Sequence, residues 1–161
     1  MGSEATDGGR PSAANVSPVL GILTVDNNDL YRILYLVHLL TAIAAFGPLF
    51  VYTRLRRAGD TVAIAKLHTY FVMPALVIMW VAGMGMAGVG KISLAGTPFV
   101  TSTIILWLIA MVVSFFLIRP ALVDTDEAAT SKLAMGVGIT HLILIVALYL
   151  MIFKPGGYEF N

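Results

Sequence analysis

Cysteine is absent from this 161-residue sequence. That excludes disulfides, thiolate metal sites, iron–sulfur clusters and covalent c-type haem attachment. Charge is scarce as well. Asp, Glu, Lys and Arg make up 12% of the chain, about half the ~25% usual in globular domains. The net charge of +1 offers no attraction for nucleic acid. All nine acidic residues lie outside the long apolar runs described below. Proton- and cation-coupled carriers commonly use intramembrane carboxylates, so this absence argues against a pump or coupled carrier. There is no Ser–His–Asp set, HExxH motif, paired carboxylate or glycine-rich phosphate loop, and the chain reads as non-enzymatic.

What the sequence does contain is apolar surface. Hydrophobic residues make up 58% of it, and the mean hydropathy is +0.89. Four runs hold most of this, at about residues 30–53, 67–89, 99–118 and 133–153. Each matches the ~20 helical residues that cross a ~30 Å hydrocarbon layer. A soluble domain of this size has too little core to hide four helices that are apolar all round. The expected fold is all-α: an integral membrane, antiparallel four-helix bundle over residues 30–156 with short connections. Residues 1–29 read as a polar, loosely ordered tail, and residues 157–161 as a short C-terminal one. The first tail carries a myristoylation-like start (Met1, Gly2, Thr6) and a sequon (Asn15-Val16-Ser17), both short patterns that are frequent by chance.

Basic residues set the expected orientation. One side carries Arg54, Arg56, Arg57, Lys66, Arg119 and Lys132, and the other Arg10, Arg32, Lys91 and Lys154. The dense cluster of Arg54, Arg56, Arg57 and Lys66 places that side in the cytoplasm and both termini on the non-cytoplasmic face of a bacterial inner membrane. Small residues allow close helix approach. Gly83 and Ala87 on the second helix, and Ala134 and Gly138 on the fourth, are the expected packing positions. Thr103, Trp107, Ala110 and Ser114 form a stripe on the third. Pro48 and Pro74 should kink their helices, and Arg119-Pro120 should end the third.

Histidine supplies the candidate chemistry. His38 and His141 lie within the first and fourth runs, ~12 and ~18 Å from one membrane edge at 1.5 Å per residue. Two neutral imidazoles at similar heights on facing helices would suit haem b or a metal ion. The alternative is a histidine that hydrogen-bonds across helices and simply joins them; on this reading no cofactor is expected. His68, near the start of the second run, is expected to meet headgroups or the Arg54–Arg57 cluster. The methionines, Met73, Met79, Met84, Met86, Met111, Met135 and Met151, suit Cu(I) by softness but fill packing gaps equally well.

Several of these segments also carry a resemblance. Leu36-Val37-His38-Leu39-Leu40, Gly47, the basic exit Arg54–Arg57, Pro74 with the Gly83–Gly88 run, Trp107, and Leu150-Met151-Ile152-Phe153-Lys154-Pro155 together look like a bacterial family of predicted four-helix integral membrane proteins of unknown function. The sequence is also distantly similar to copper-resistance D-type membrane proteins. The resemblance implies a four-helix fold in a bacterial inner membrane and brings no established activity. The expected role is a small accessory subunit, partnered by lipid and other membrane subunits, with a respiratory or electron-transfer complex as a candidate host; the alternatives are a haem- or metal-binding protein and a small carrier or copper-handling protein.

Overall fold

A computed structural model describes residues 27–124 and 126–156. The two sequence patterns in the N-terminal tail, most of that tail, and residues 157–161 lie outside the described residues. Those that are described are helical, with no strand among them. Four helices are long and apolar enough to cross a membrane: α1 (Asn27–Arg57), α2 (Thr61–Val89), α3 (Pro98–Val123) and α4 (Glu127–Phe153).

Each helix outruns its apolar stretch, for local reasons. Asn27–Asp29, read from sequence as tail, form the first turn of α1. The Asp60 carboxylate accepts from the Ala63 amide at 3.3 Å and starts α2 six residues before its apolar run. Asp126 does the same for α4, accepting from Ala129 at 2.6 Å. Such caps satisfy amides that have no partner in the first turn. Pro98, in the first turn of α3, needs no amide partner. Gly59, at φ +83° in the turn between α1 and α2, holds a left-handed conformation that suits glycine.

The prolines act in two ways. Gly47-Pro48 interrupts α1, splitting it into Asn27–Phe46 and Leu49–Arg57. A Cβ on Gly47 would lie 2.6 Å from the Ile43 carbonyl oxygen, so only glycine fits that turn. Pro74 and Pro120 instead follow π-helical segments, His68–Val72 in α2 and Val113–Ile118 in α3. There the Met73 amide bonds to the His68 carbonyl and the Arg119 amide to the Ser114 carbonyl, each five residues back. The wider turn relieves the clash between the proline ring and the preceding turn. Consequently α3 does not end at Arg119-Pro120 but continues to Val123.

Contacts join the helices in a ring. Between α1 and α2, Leu34 meets Gly85, His38 meets Gly83, and Tyr52 meets His68. Between α2 and α3 the pairs are His68 with Ser114 and Leu76 with Trp107. Gly136 of α4 packs on Ile118 and Leu117 of α3. Phe50 and Arg56 of α1 reach His141 and Thr130 of α4. The buried core gathers at the α1–α2 turn end, around Leu49, Tyr52, Ile64, Val72, Ile118 and Leu133.

Gly83 and Ala87 occupy the packing positions read from sequence: Ala87 is buried, and a Cβ on Gly83 would stand 3.2 Å from the His38 ring. Ala134 and Gly138 do not pack on another helix of this chain. Both are exposed, and nothing lies within 4 Å of a Cβ placed on Gly138. The inward row of α4 is Leu133, Gly136, Val137 and Thr140. A Cβ on Gly136 would stand 2.7 Å from Ile118 Cγ1, so Gly136 is the residue that lets α3 and α4 approach.

Candidate functional site

Two polar constellations and one cavity lie between the helices. The first joins the π segments. His68 opens one and Ser114 is the second residue of the other. The Ser114 carbonyl only accepts, so His68 Nε2 carries the proton and donates to it at 3.2 Å. Nδ1 is then an acceptor, and the Tyr52 hydroxyl donates to it at 3.3 Å. Tyr52, His68 and Ser114 are all fully buried. One imidazole thus pins α1, α2 and α3 together, with both ring nitrogens satisfied. The expectation that His68 meets headgroups or the arginine cluster is corrected: because α2 starts at Thr61, His68 lies two turns inside it, on the buried row of Ile64, Val72 and Leu76. Ser114 Oγ is buried with no hydrogen-bond partner among the described residues.

The second constellation is at Arg56. Its guanidinium donates to the carbonyls of Ala121 and of Asp124 (2.7 Å), and to the Thr130 hydroxyl (3.2 Å). These carbonyls end α3, where the chain lacks amide partners and the helix dipole favours a cation. Arg56 is buried, unlike Arg54, Arg57 and Lys66, which are exposed. Among the four basic residues read as setting orientation, Arg56 therefore also ties α1 to α3 and α4.

The cavity is of about 210 Å³, between the halves of all four helices that lie away from the α1–α2 turn. His38, Met79, Trp80, Trp107 and Leu148 are among its walls. His38 Nδ1 donates to the Met79 carbonyl at 2.8 Å, since that oxygen can only accept. The Trp107 indole donates to the Leu76 carbonyl at 3.0 Å, and its ring stacks on Trp80 with centroids 5.4 Å apart. Met79, Met84, Met86 and Met151 also face the cavity.

His38 and His141 are not brought together. His141 packs on Phe50 with the rings tilted and their centroids 4.0 Å apart, and its Nε2 is buried without a partner among the described residues. Phe50 lies twelve residues beyond His38 on α1, ~18 Å along a helix. At the level of His38, α4 instead presents Leu148 and Met151. The ~6 Å offset expected from sequence came from aligning the ends of apolar runs, whereas side-chain packing sets the register between two helices. Imidazole nitrogens shared by one metal ion would each stand about 2 Å from it. Among the described residues there is no group of three His, Asp or Glu placed to hold a metal ion.

Sequence reasoning missed the Tyr52–His68–Ser114 joint and the Arg56 clamp. The four-residue spacing of Ile64, His68, Val72 and Leu76 was the available signal for the joint. Of the stripe Thr103, Trp107, Ala110 and Ser114 on α3, Ala110 and Ser114 are buried and Thr103 and Trp107 line the cavity described above. No family model matches the chain, and no curated protein or solved structure matches it.

Proposed function

We propose that this chain is a multi-pass integral membrane protein, an antiparallel bundle of four helices, serving without catalysis of its own as a small subunit of a larger membrane assembly. The contact pairs support the topology: between α1 and α2, α2 and α3, and α1 and α4, residue numbers rise on one helix as they fall on the other. In the most apolar window of each helix only 17–33% of residues are buried by the chain itself. Such extensive uncovered apolar surface needs lipid or partner helices as its cover. Exposed Arg54, Arg57, Lys66, Arg119 and Lys132 gather at one end, which favours a cytoplasmic position for that end and the opposite face for both termini. The membrane of this proposal is the bacterial inner membrane.

The observation that carries the subunit reading is where the polar side chains within the helices are spent. Tyr52, His68, Arg56 and Trp107 all bond across to a neighbouring helix. That is the economy of a scaffold rather than of a transport path. Ala134 and Gly138, one turn apart on the outward face of α4, offer a close landing for a further helix. Extraction in a mild detergent, followed by native-size measurement and identification of co-migrating proteins, tests the reading. A stable larger species with a reproducible membrane partner is expected. A lone monomer under every gentle condition overturns it.

A further inference from the structure

The cavity beside His38 is lined by a ring whose second nitrogen the protein leaves unspent. Thr103, on its wall, donates its hydroxyl to the carbonyls of Phe99 and Val100. The Trp107 N–H goes to Leu76. His38 Nδ1 goes to Met79. His38 Nε2 has no hydrogen-bond partner among the described residues, and in the neutral ring that donates from Nδ1 it is an acceptor. Holding one ring nitrogen on a backbone carbonyl fixes the tautomer and the ring plane, which presents the other nitrogen in a defined direction. Gly83 makes room for this ring, because a side chain there would press on Cε1 and Nδ1 at 3.2 Å.

Size and wall chemistry narrow the occupant. An apolar cavity of about 150 Å³ holds benzene. The 210 Å³ here suits one substituted six-membered ring and is small for a porphyrin with its four pyrroles. The Trp80–Trp107 stack, 20° from parallel, forms a flat aromatic wall of the kind against which rings pack. We infer that this cavity binds a lipid-soluble, hydroxyl-bearing ring, a phenol or quinol head group, whose O–H donates to His38 Nε2 while its ring lies along Trp80 and Trp107. Entry from the bilayer rests on the membrane reading above; the binding geometry itself does not.

The chain reports on its own cavity, since Trp80 and Trp107 are its two tryptophans. The test is a tryptophan-fluorescence titration of the purified full chain in detergent with a decyl-substituted 1,4-benzoquinol. Its dimethyl ether, which has no O–H to donate, is the comparison probe. Saturable quenching by the quinol is expected, with the ether at least about tenfold weaker, the scale of one lost hydrogen bond in a dry site. His38→Leu should weaken the quinol by a similar factor and abolish the preference over the ether. Ala147→Phe, which fills the cavity from α4, should weaken both probes. Circular dichroism confirms that each variant keeps its helices. Equal quenching by quinol and ether in the unaltered chain, quenching that never saturates, or a quinol preference that survives His38→Leu would overturn the inference. So would a stoichiometric Soret band together with no response to quinol. Alkaline carbonate extraction is read separately: release of the chain from membranes would overturn the membrane reading and the lipid route, but not saturable binding.

Discussion

Replacing His68 with leucine tests the joint between the π segments. The substitution removes two cross-helix hydrogen bonds and leaves an apolar side chain of similar bulk. The Ser114 carbonyl keeps the Arg119 amide, so it is not orphaned. The Tyr52 hydroxyl is orphaned, within a residue that is 0% exposed. An intramembrane cross-helix bond averages ~0.6 kcal/mol, and a buried hydroxyl without a partner costs ~1–3 kcal/mol. His68→Leu should therefore cost about 2 kcal/mol. Tyr52→Phe removes one bond and leaves Nδ1 unpaired, for about 1 kcal/mol. The double variant has no orphaned hydroxyl and no unpaired Nδ1, so it should cost about 1 kcal/mol, well below the sum of the two. Unfolding by SDS in mixed micelles, followed by far-ultraviolet circular dichroism, gives all four values. Costs that add to within ~0.5 kcal/mol, or a His68→Leu chain as stable as the parent, would refute the joint.

Arg56→Ala should cost about 2–3 kcal/mol by the same assay, because the last carbonyls of α3 lose charge-assisted donors. Arg56→Lys should recover less than half of that, since an ammonium cannot span the Ala121 and Asp124 carbonyls as the planar fork does; full rescue by lysine would count against the clamp. Gly136→Ala should cost about 1–3 kcal/mol by overpacking against Ile118, while Gly138→Ala should leave stability within ~0.5 kcal/mol; the reverse order would mean that the inward face of α4 has been misassigned. Because no native cysteine interferes, Ala58→Cys and Ala95→Cys report orientation cleanly. A membrane-impermeant maleimide applied to intact spheroplasts should label residue 95 and not residue 58, and the opposite pattern would invert the topology.

The hydropathic runs made the four helices legible, since length and composition suffice to reveal an element that is apolar all round. The same uniformity hid which face each helix turns inward. On α4, small residues stand at Ala134, Gly136 and Gly138, and no polar stripe distinguishes their faces; only packing against Ile118 selects Gly136. The helix ends were obscured because Asp60 and Asp126 extend α2 and α4 through polar sequence. Pro120 reads as a terminator when α-helical bonding is assumed, whereas the Arg119-to-Ser114 bond carries α3 past it. The cavity at His38 was half visible, as a histidine in an apolar run. Its true neighbours, Met79, Gly83 and Trp107, depend on interhelical register, to which no single run is sensitive.

The two widened turns have a consequence for every residue beyond them. A turn that holds one residue more than an α-turn offsets the rest of its helix by roughly 100° about the axis. In α3, this angular phase decides which carbonyls Arg119–Val123 and the following turn present to Arg56. Deleting a single residue between Val113 and Ile118 would leave the hydropathy of α3 almost untouched, yet swing its far end away from the guanidinium and break the lock among three helices. Two chains of near-identical greasiness could thus differ in whether that end of the molecule closes at all.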